Sequence, residues 1–191
     1  MRGYFAIGIE GVSKPMNVGS LFRTAHAFGA SFVFTVAADY SRVHGAKSDT
    51  SDTPGHLPFY GFPDVSSMIL PDGCRLVGVE LVEDAVELPI FCHPRSAAYV
   101  LGPERGTLSE AMMERCDFTI RIPTAFSVNI GVAGAIVLYD RLISMGRFAR
   151  RALSPGGIAE PMPEHVFGDP VMRRRVERFR AAPPTDKTEP S

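Results

Sequence analysis

What most limits the folds open to this chain is a series of short, nearly continuous apolar runs. They are Tyr4–Ile9, Ser31–Val36, Arg75–Glu80, Ala98–Leu101 and Phe118–Ile122. A strand with one face in water alternates apolar and polar residues, whereas a strand covered on both faces does not need to. These runs therefore predict buried strands. Between them the apolar residues shift to helical spacing, as in Asn17–Phe28, where Val18, Leu21, Phe22, Ala25 and Phe28 fall on one side. A second helical pattern extends from Ser127 to Met145. Strands alternating with helices predict an α/β fold, a mostly parallel sheet flanked by helices.

The pattern places one domain at residues 1–150, long enough to bury its own core. The break Leu153-Ser-Pro-Gly-Gly157 then opens a basic C-terminal extension, residues 151–191, with a short helix expected near Pro170–Arg180. Its last eleven residues, from Ala181, read as disordered. Within the domain, Asp39–Pro63 reads as a loop-rich excursion with room for one short strand.

Composition removes several function classes. The longest apolar stretch, Val128–Tyr139, is too short and too interrupted by glycine to span a bilayer. Met1–Phe5 runs straight into a strand without a secretory signal, so a cytoplasmic location is expected. Cys74, Cys92 and Cys116 fit neither a disulfide framework nor a zinc site, and no metal is expected. The net charge of −1 means that any affinity for nucleic acid must come from a local patch. One candidate is the run Arg141, Arg147, Arg150, Arg151, Arg173, Arg174, Arg175, Arg178 and Arg180, set against only four acids.

Three segments bend the local rules. In Asn17-Val-Gly-Ser-Leu-Phe-Arg23, Asn17 is expected to cap a helix, with Arg23 on the side away from the apolar stripe. In Leu101-Gly102-Pro-Glu104-Arg-Gly106-Thr-Leu-Ser109, a strand ends in a glycine-rich turn before a helix that Ser109 could cap. Open α/β sheets bind ligands beyond the carboxyl ends of their strands, where glycine permits close approach. In Ile122-Pro123…Ser127-Val-Asn129-Ile-Gly131-Val132-Ala-Gly134, Ser127 is expected to cap the helix, and Asn129 to be a buried amide with a specific partner. Gly131 and Gly134 each cost about 1 kcal/mol in a helix and imply a close approach. No G-x-G-x-x-G follows the first strand, which argues against a dinucleotide-binding enzyme.

Taken together and in this order, the three segments resemble the three motifs of the SpoU/TrmH family of SPOUT methyltransferases. The resemblance covers about residues 5 to 145. It implies a SPOUT-type fold with a C-terminal trefoil knot, a homodimer, and S-adenosylmethionine as cofactor. The implied cofactor contacts are Leu101, Gly102, Glu104, Gly106, Ile122, Pro123, Ser127, Asn129 and Val132. The implied catalytic set is Arg23, Asn17, Glu104, Ser127 and Asn129. The implied reaction is methyl transfer to a ribose 2′-hydroxyl of RNA, tRNA first and rRNA as the alternative. A catalytically inactive SPOUT-fold RNA-binding protein is the competing reading, and retention of the whole polar set argues against it.

That set suits the chemistry. A guanidinium with a pKa above about 12 is a poor base, so Arg23 is expected to bind phosphate and stabilise a developing alkoxide. Two departures from the family pattern stand out: Arg105 follows Glu104 where a small residue is usual, and Val128 and Gly131 replace Leu and Ser. With no separate N-terminal RNA-binding domain, recognition is expected from a dimer surface, the Ser41–Pro63 loop and the arginine-rich tail.

Overall fold

The computed structural model describes residues 3–11, 15–38, 56–103, 106–146, 148–149 and 151–161. The chain divides into two units, Met1–Arg147 and Phe148–Ser191. Among the described residues the first unit forms a sheet of seven strands in the order β3-β2-β1-β6-β4-β7-β5. They are β1 (Phe5–Glu10), β2 (Phe32–Val36), β3 (Phe59–Phe62), β4 (Arg75–Val79), β5 (Val86–Glu87), β6 (Ala97–Leu101) and β7 (Phe118–Arg121). Every registered pair is parallel. The α-helices among the described residues are α1 (Pro15–Ala27), α2 (Glu110–Arg115) and α3 (Ile130–Met145), and Leu88–Ile90 forms one 3-10 turn.

Period-2 alternation explains the continuous apolar runs. Along β6, Ala97, Tyr99 and Leu101 enter one core while Ala98 and Val100 enter the other. The first core lies under α1 and α3, through Val18, Leu21, Val137 and Leu138. The second takes Phe34, Met68, Leu108 and Met112 on the opposite face. All five expected strands are present, and β3 is the short strand allowed for in the 39–63 excursion. The two-residue β5 was not expected, since it is too short to show a period.

Several local expectations are corrected. Asn17 does not cap α1, because the helix begins at Pro15, a position where a missing N–H costs nothing. Ser127 does not cap α3; Asn129 does, its Oδ1 accepting the Gly131 amide at 2.9 Å. Asn129 is consequently exposed rather than buried. Arg141 is not part of a solvated basic face. It is 5% exposed, and its guanidinium donates to the carbonyls of Pro94 at 2.6 Å and Arg95 at 2.8 Å. Ser109 caps α2 as expected, accepting from the Met112 amide at 3.2 Å.

In the second unit, residues 148–149 and 151–161 contain no helix or strand. The helix expected near Pro170–Arg180 and the last eleven residues lie outside the described residues, as does most of the 39–63 excursion.

Candidate functional site

The carboxyl ends of β4, β6 and β7 open into one cavity of about 320 Å3. Leu101 and Gly102 reach it from β6, Gly106 from the turn beyond, and Ile122 from β7. Asn17 enters from the first turn of α1, while Ser127 and Asn129 lead into α3. The sheet order thus brings together segments widely separated in sequence. Among the described residues the Asn17 and Ser127 side chains make no hydrogen bond, so both remain available to a ligand.

Other expected site residues lie elsewhere. Pro123 is exposed and does not line the cavity. Val132, half exposed on the outer side of α3, lines a shallow apolar groove with Ser20, Thr24, Gly131 and Tyr139. Asn129 borders both this groove and the cavity. Arg23 is exposed on α1 and has no side-chain partner among the described residues. Glu104 and Arg105 lie outside the described residues.

The glycines meet protein rather than open space. A Cβ on Gly102 would stand 3.0 Å from the Leu108 nitrogen and 3.1 Å from Glu80 Oε2. Gly106 adopts a φ of 149°, which a side chain rarely tolerates. A Cβ on Gly131 would stand 2.8 Å from Ser20 Oγ, and one on Gly134 would overlap Leu21 Cδ1. The close approach expected of the α3 glycines is therefore made by α1.

Sequence reasoning missed Glu80, Val79, Leu81 and Thr124 in the cavity wall. Glu80 was findable, because it immediately follows a strand whose carboxyl end faces the ligand crevice. Thr124 braces its own turn, its hydroxyl donating to the Phe126 carbonyl at 2.9 Å. Among the described residues, the wall combines an apolar floor (Val79, Leu101, Ile122, Ile130) with the Glu80 carboxylate and several neutral amides and hydroxyls. Such a lining suits binding and orienting an already activated group.

Also missed was a buried polar network near the amino ends of β1 and β6. His93 bonds Tyr99 and Asp140, and Arg141 Nη1 donates to the Tyr99 hydroxyl at 3.2 Å. Burial pushes the Tyr99 phenol up to about 12 and pushes the His93 imidazole below its usual value. The three cysteines are free, and burial pushes Cys116 up to about 11. The described residues contain no group of three potential metal ligands. None of their helices is long and apolar enough to cross a membrane.

Fold and site together define a parallel α/β protein with a cavity among turns at the carboxyl ends of its strands. The chain belongs to the SpoU rRNA Methylase family, whose model matches residues 4–139. The 23S rRNA (guanosine-2'-O-)-methyltransferase RlmB of Coxiella burnetii is 33% identical over 143 residues, 69% of this chain and 55% of that protein. Its namesake from Nitrosomonas europaea is 28% identical over 144 residues, 69% of this chain and 53% of that protein. The chain thus spans about half the length of these curated relatives. The crystal structure of the SpoU methyltransferase AviRb from Streptomyces viridochromogenes with its cofactor AdoMet matches with a TM-score of 0.64 and 25% identity. That match covers 77% of this chain and 60% of that one.

Proposed function

We propose that this chain transfers a methyl group from S-adenosylmethionine to a ribose 2′-hydroxyl of RNA. The observation that carries the reading is the convergence of the three motif segments on one cavity at the strand ends. The cavity has the size of a small-molecule site, with an apolar floor and several convergent polar groups. The backbone at Leu101, Gly102 and Gly106, with Ile122 opposite, would hold the cofactor. When bound, it supplies a methyl group already activated by a sulfonium.

The protein's own task is then positioning. Asn17, Ser127 and Asn129 offer neutral hydrogen-bonding groups to orient the ribose and its surroundings. Arg23, exposed and unpaired among the described residues, binds RNA phosphate and stabilises the oxygen as negative charge develops on it. Glu104 belongs to the same proposal, as do the trefoil threading and a cytoplasmic location. Pro123 and Val132, which do not line the cavity, are not carried into it. A homodimer formed across the α1–α3 groove would cover the exposed Val132 and Tyr139.

RNA is the substrate class, and both tRNA and rRNA are candidates, since the relatives that carry the family's rRNA names are longer than this chain. The test is transfer of labelled methyl to total tRNA and to rRNA, with Arg23→Ala beside the wild type. Ribose-methylated product that disappears in the variant supports the reading. Cofactor binding without transfer to either RNA refutes both substrate classes, and absence of cofactor binding refutes the enzyme.

A further inference from the structure

Strands β1 and β4 flank β6 in the sheet, and each delivers a glutamate at its carboxyl end. Glu10 is the last residue of β1, and Glu80 directly follows β4. Glu80 Oε2 accepts the Leu108 amide at 2.9 Å, and its Oε1 accepts the Leu81 amide at 3.0 Å. Glu10 Oε2 accepts the next amide, Ser109, at 2.8 Å, while its Oε1 accepts the Ser109 hydroxyl at 2.5 Å. Two carboxylates from opposite sides of β6 therefore hold consecutive amides of the segment that follows the cavity turn.

This arrangement exceeds what starting a six-residue helix requires, because Ser109 already caps α2. Glu10 is 6% exposed, and a buried carboxylate is costly unless hydrogen bonds satisfy it. Among the described residues neither glutamate forms an ion pair, so both are committed to this segment and to local backbone. The Glu80–Leu108 bond passes directly over Gly102, where any Cβ would intrude. Gly102 and Gly106 line the cavity, as does Glu80 itself.

We propose that Glu80 and Glu10 are positioning residues of the cofactor cavity, holding Gly102 and residues 106–109 in the receptive shape before the methyl donor arrives. The inference rests on the donor assignment made above. Preorganisation of this kind lowers the ordering cost of binding, so its loss falls on donor affinity rather than on RNA affinity.

The test uses the full chain and three readouts: amide hydrogen exchange without ligand, S-adenosylmethionine affinity by calorimetry, and the KM for RNA. Glu80→Ala is expected to speed exchange at Leu108 and weaken donor binding by about tenfold each, with the RNA KM within about twofold. Glu80→Gln keeps one acceptor oxygen and should lose less. Glu10→Ala removes both acceptors and is expected to speed exchange at Ser109 and weaken donor binding, with the RNA KM again within about twofold. Glu83→Ala, an exposed carboxylate beyond the cavity, controls for charge and should change nothing.

Wild-type exchange at Leu108 together with wild-type donor affinity in Glu80→Ala would overturn the proposal. So would an equal loss of donor and RNA affinity, which signals general damage. Failure of the wild type to bind donor would overturn the donor assignment, and the cofactor role of the glutamates with it. The exchange data, which need no donor, would then show whether the clamp itself exists.

Discussion

His93 Nε2 lies 2.9 Å from Asp140 Oδ2, tying an imidazole with no side-chain exposure to helix α3. Its other nitrogen lies 2.6 Å from the Tyr99 hydroxyl, which also accepts from Arg141 Nη1. Arginine can only donate, so the single phenolic proton goes to His93 Nδ1, and Nε2–H donates to Asp140. A charged imidazole would have two donors and would leave the phenolic proton without an acceptor. The network is satisfied when His93 is neutral.

A pH dependence follows. Burial, opposed by Asp140, holds the folded His93 below its ordinary value of 6.5. Below that value the unfolded chain binds a proton that the folded chain refuses. The contribution of His93 is therefore fully present above 6.5 and is lost as pH falls toward the depressed folded value. Burial pushes the Asp117 carboxyl up, but the Leu76 amide and Arg75 outweigh it, so Asp117 titrates below 3.8 and outside this window. Urea midpoints should fall between about pH 7.5 and about pH 5.5 in the wild type and fall less in His93→Gln. Equal slopes would assign the loss to other groups.

The two residues that could cap α3 are separable by mutation. Asn129→Ala removes the acceptor of the Gly131 amide and should cost about 1 kcal/mol in chemical denaturation. Ser127→Ala should cost nothing measurable, since its exposed hydroxyl bonds no amide in the structure. Asn129→Asp should restore most of the loss, because aspartate caps equally well. A larger loss at Ser127 would mean that α3 begins earlier in solution.

The strands were legible because both faces are buried, so Ala97–Leu101 carries no charged residue to confuse its reading. The caps were not. Asn17, Ser127 and Asn129 all have cap chemistry, and only the backbone path decides which one serves. The cavity set was legible only through the order of three motifs, since no local pattern places Asn17 beside Gly102. Glu10 was invisible as a partner for Ser109, 99 positions away. Arg141 was misread for a related reason: beside other arginines it resembles a solvated face, and the carbonyls that bury it come from distant chain.

Gly134 tests the packing of α1 on α3. An added methyl favours a helix by about 1 kcal/mol, so an open position would gain stability from Gly134→Ala. Here the new Cβ would overlap Leu21 Cδ1 and stand 3.4 Å from Ile7 Cδ1, and both side chains are fully buried. Overpacking should win, leaving Gly134→Ala about 1–3 kcal/mol less stable by urea denaturation. Leu21→Ala combined with Gly134→Ala should be less damaging than the sum of the single changes, because the two sites share one space. Additive costs would mean that the helices do not meet there.

The arginines in the C-terminal half should separate into structural and RNA-binding groups. Removing Arg141 strands the Pro94 and Arg95 carbonyls and leaves the His93–Tyr99 pair without its donor. Arg141→Ala should therefore cost about 2–4 kcal/mol, and Arg141→Lys much of that, since a single ammonium cannot reproduce the fork. Because Arg141 is buried, folded Arg141→Lys should keep the wild-type salt dependence of RNA binding. Replacing Arg173, Arg174 and Arg175 by alanine should do the opposite. Stability should hold, while RNA binding weakens and the slope of log K against log salt flattens by about 0.7–0.9 for each phosphate no longer neutralised. An unchanged slope would remove the tail from the RNA-binding surface and leave recognition to the folded domain.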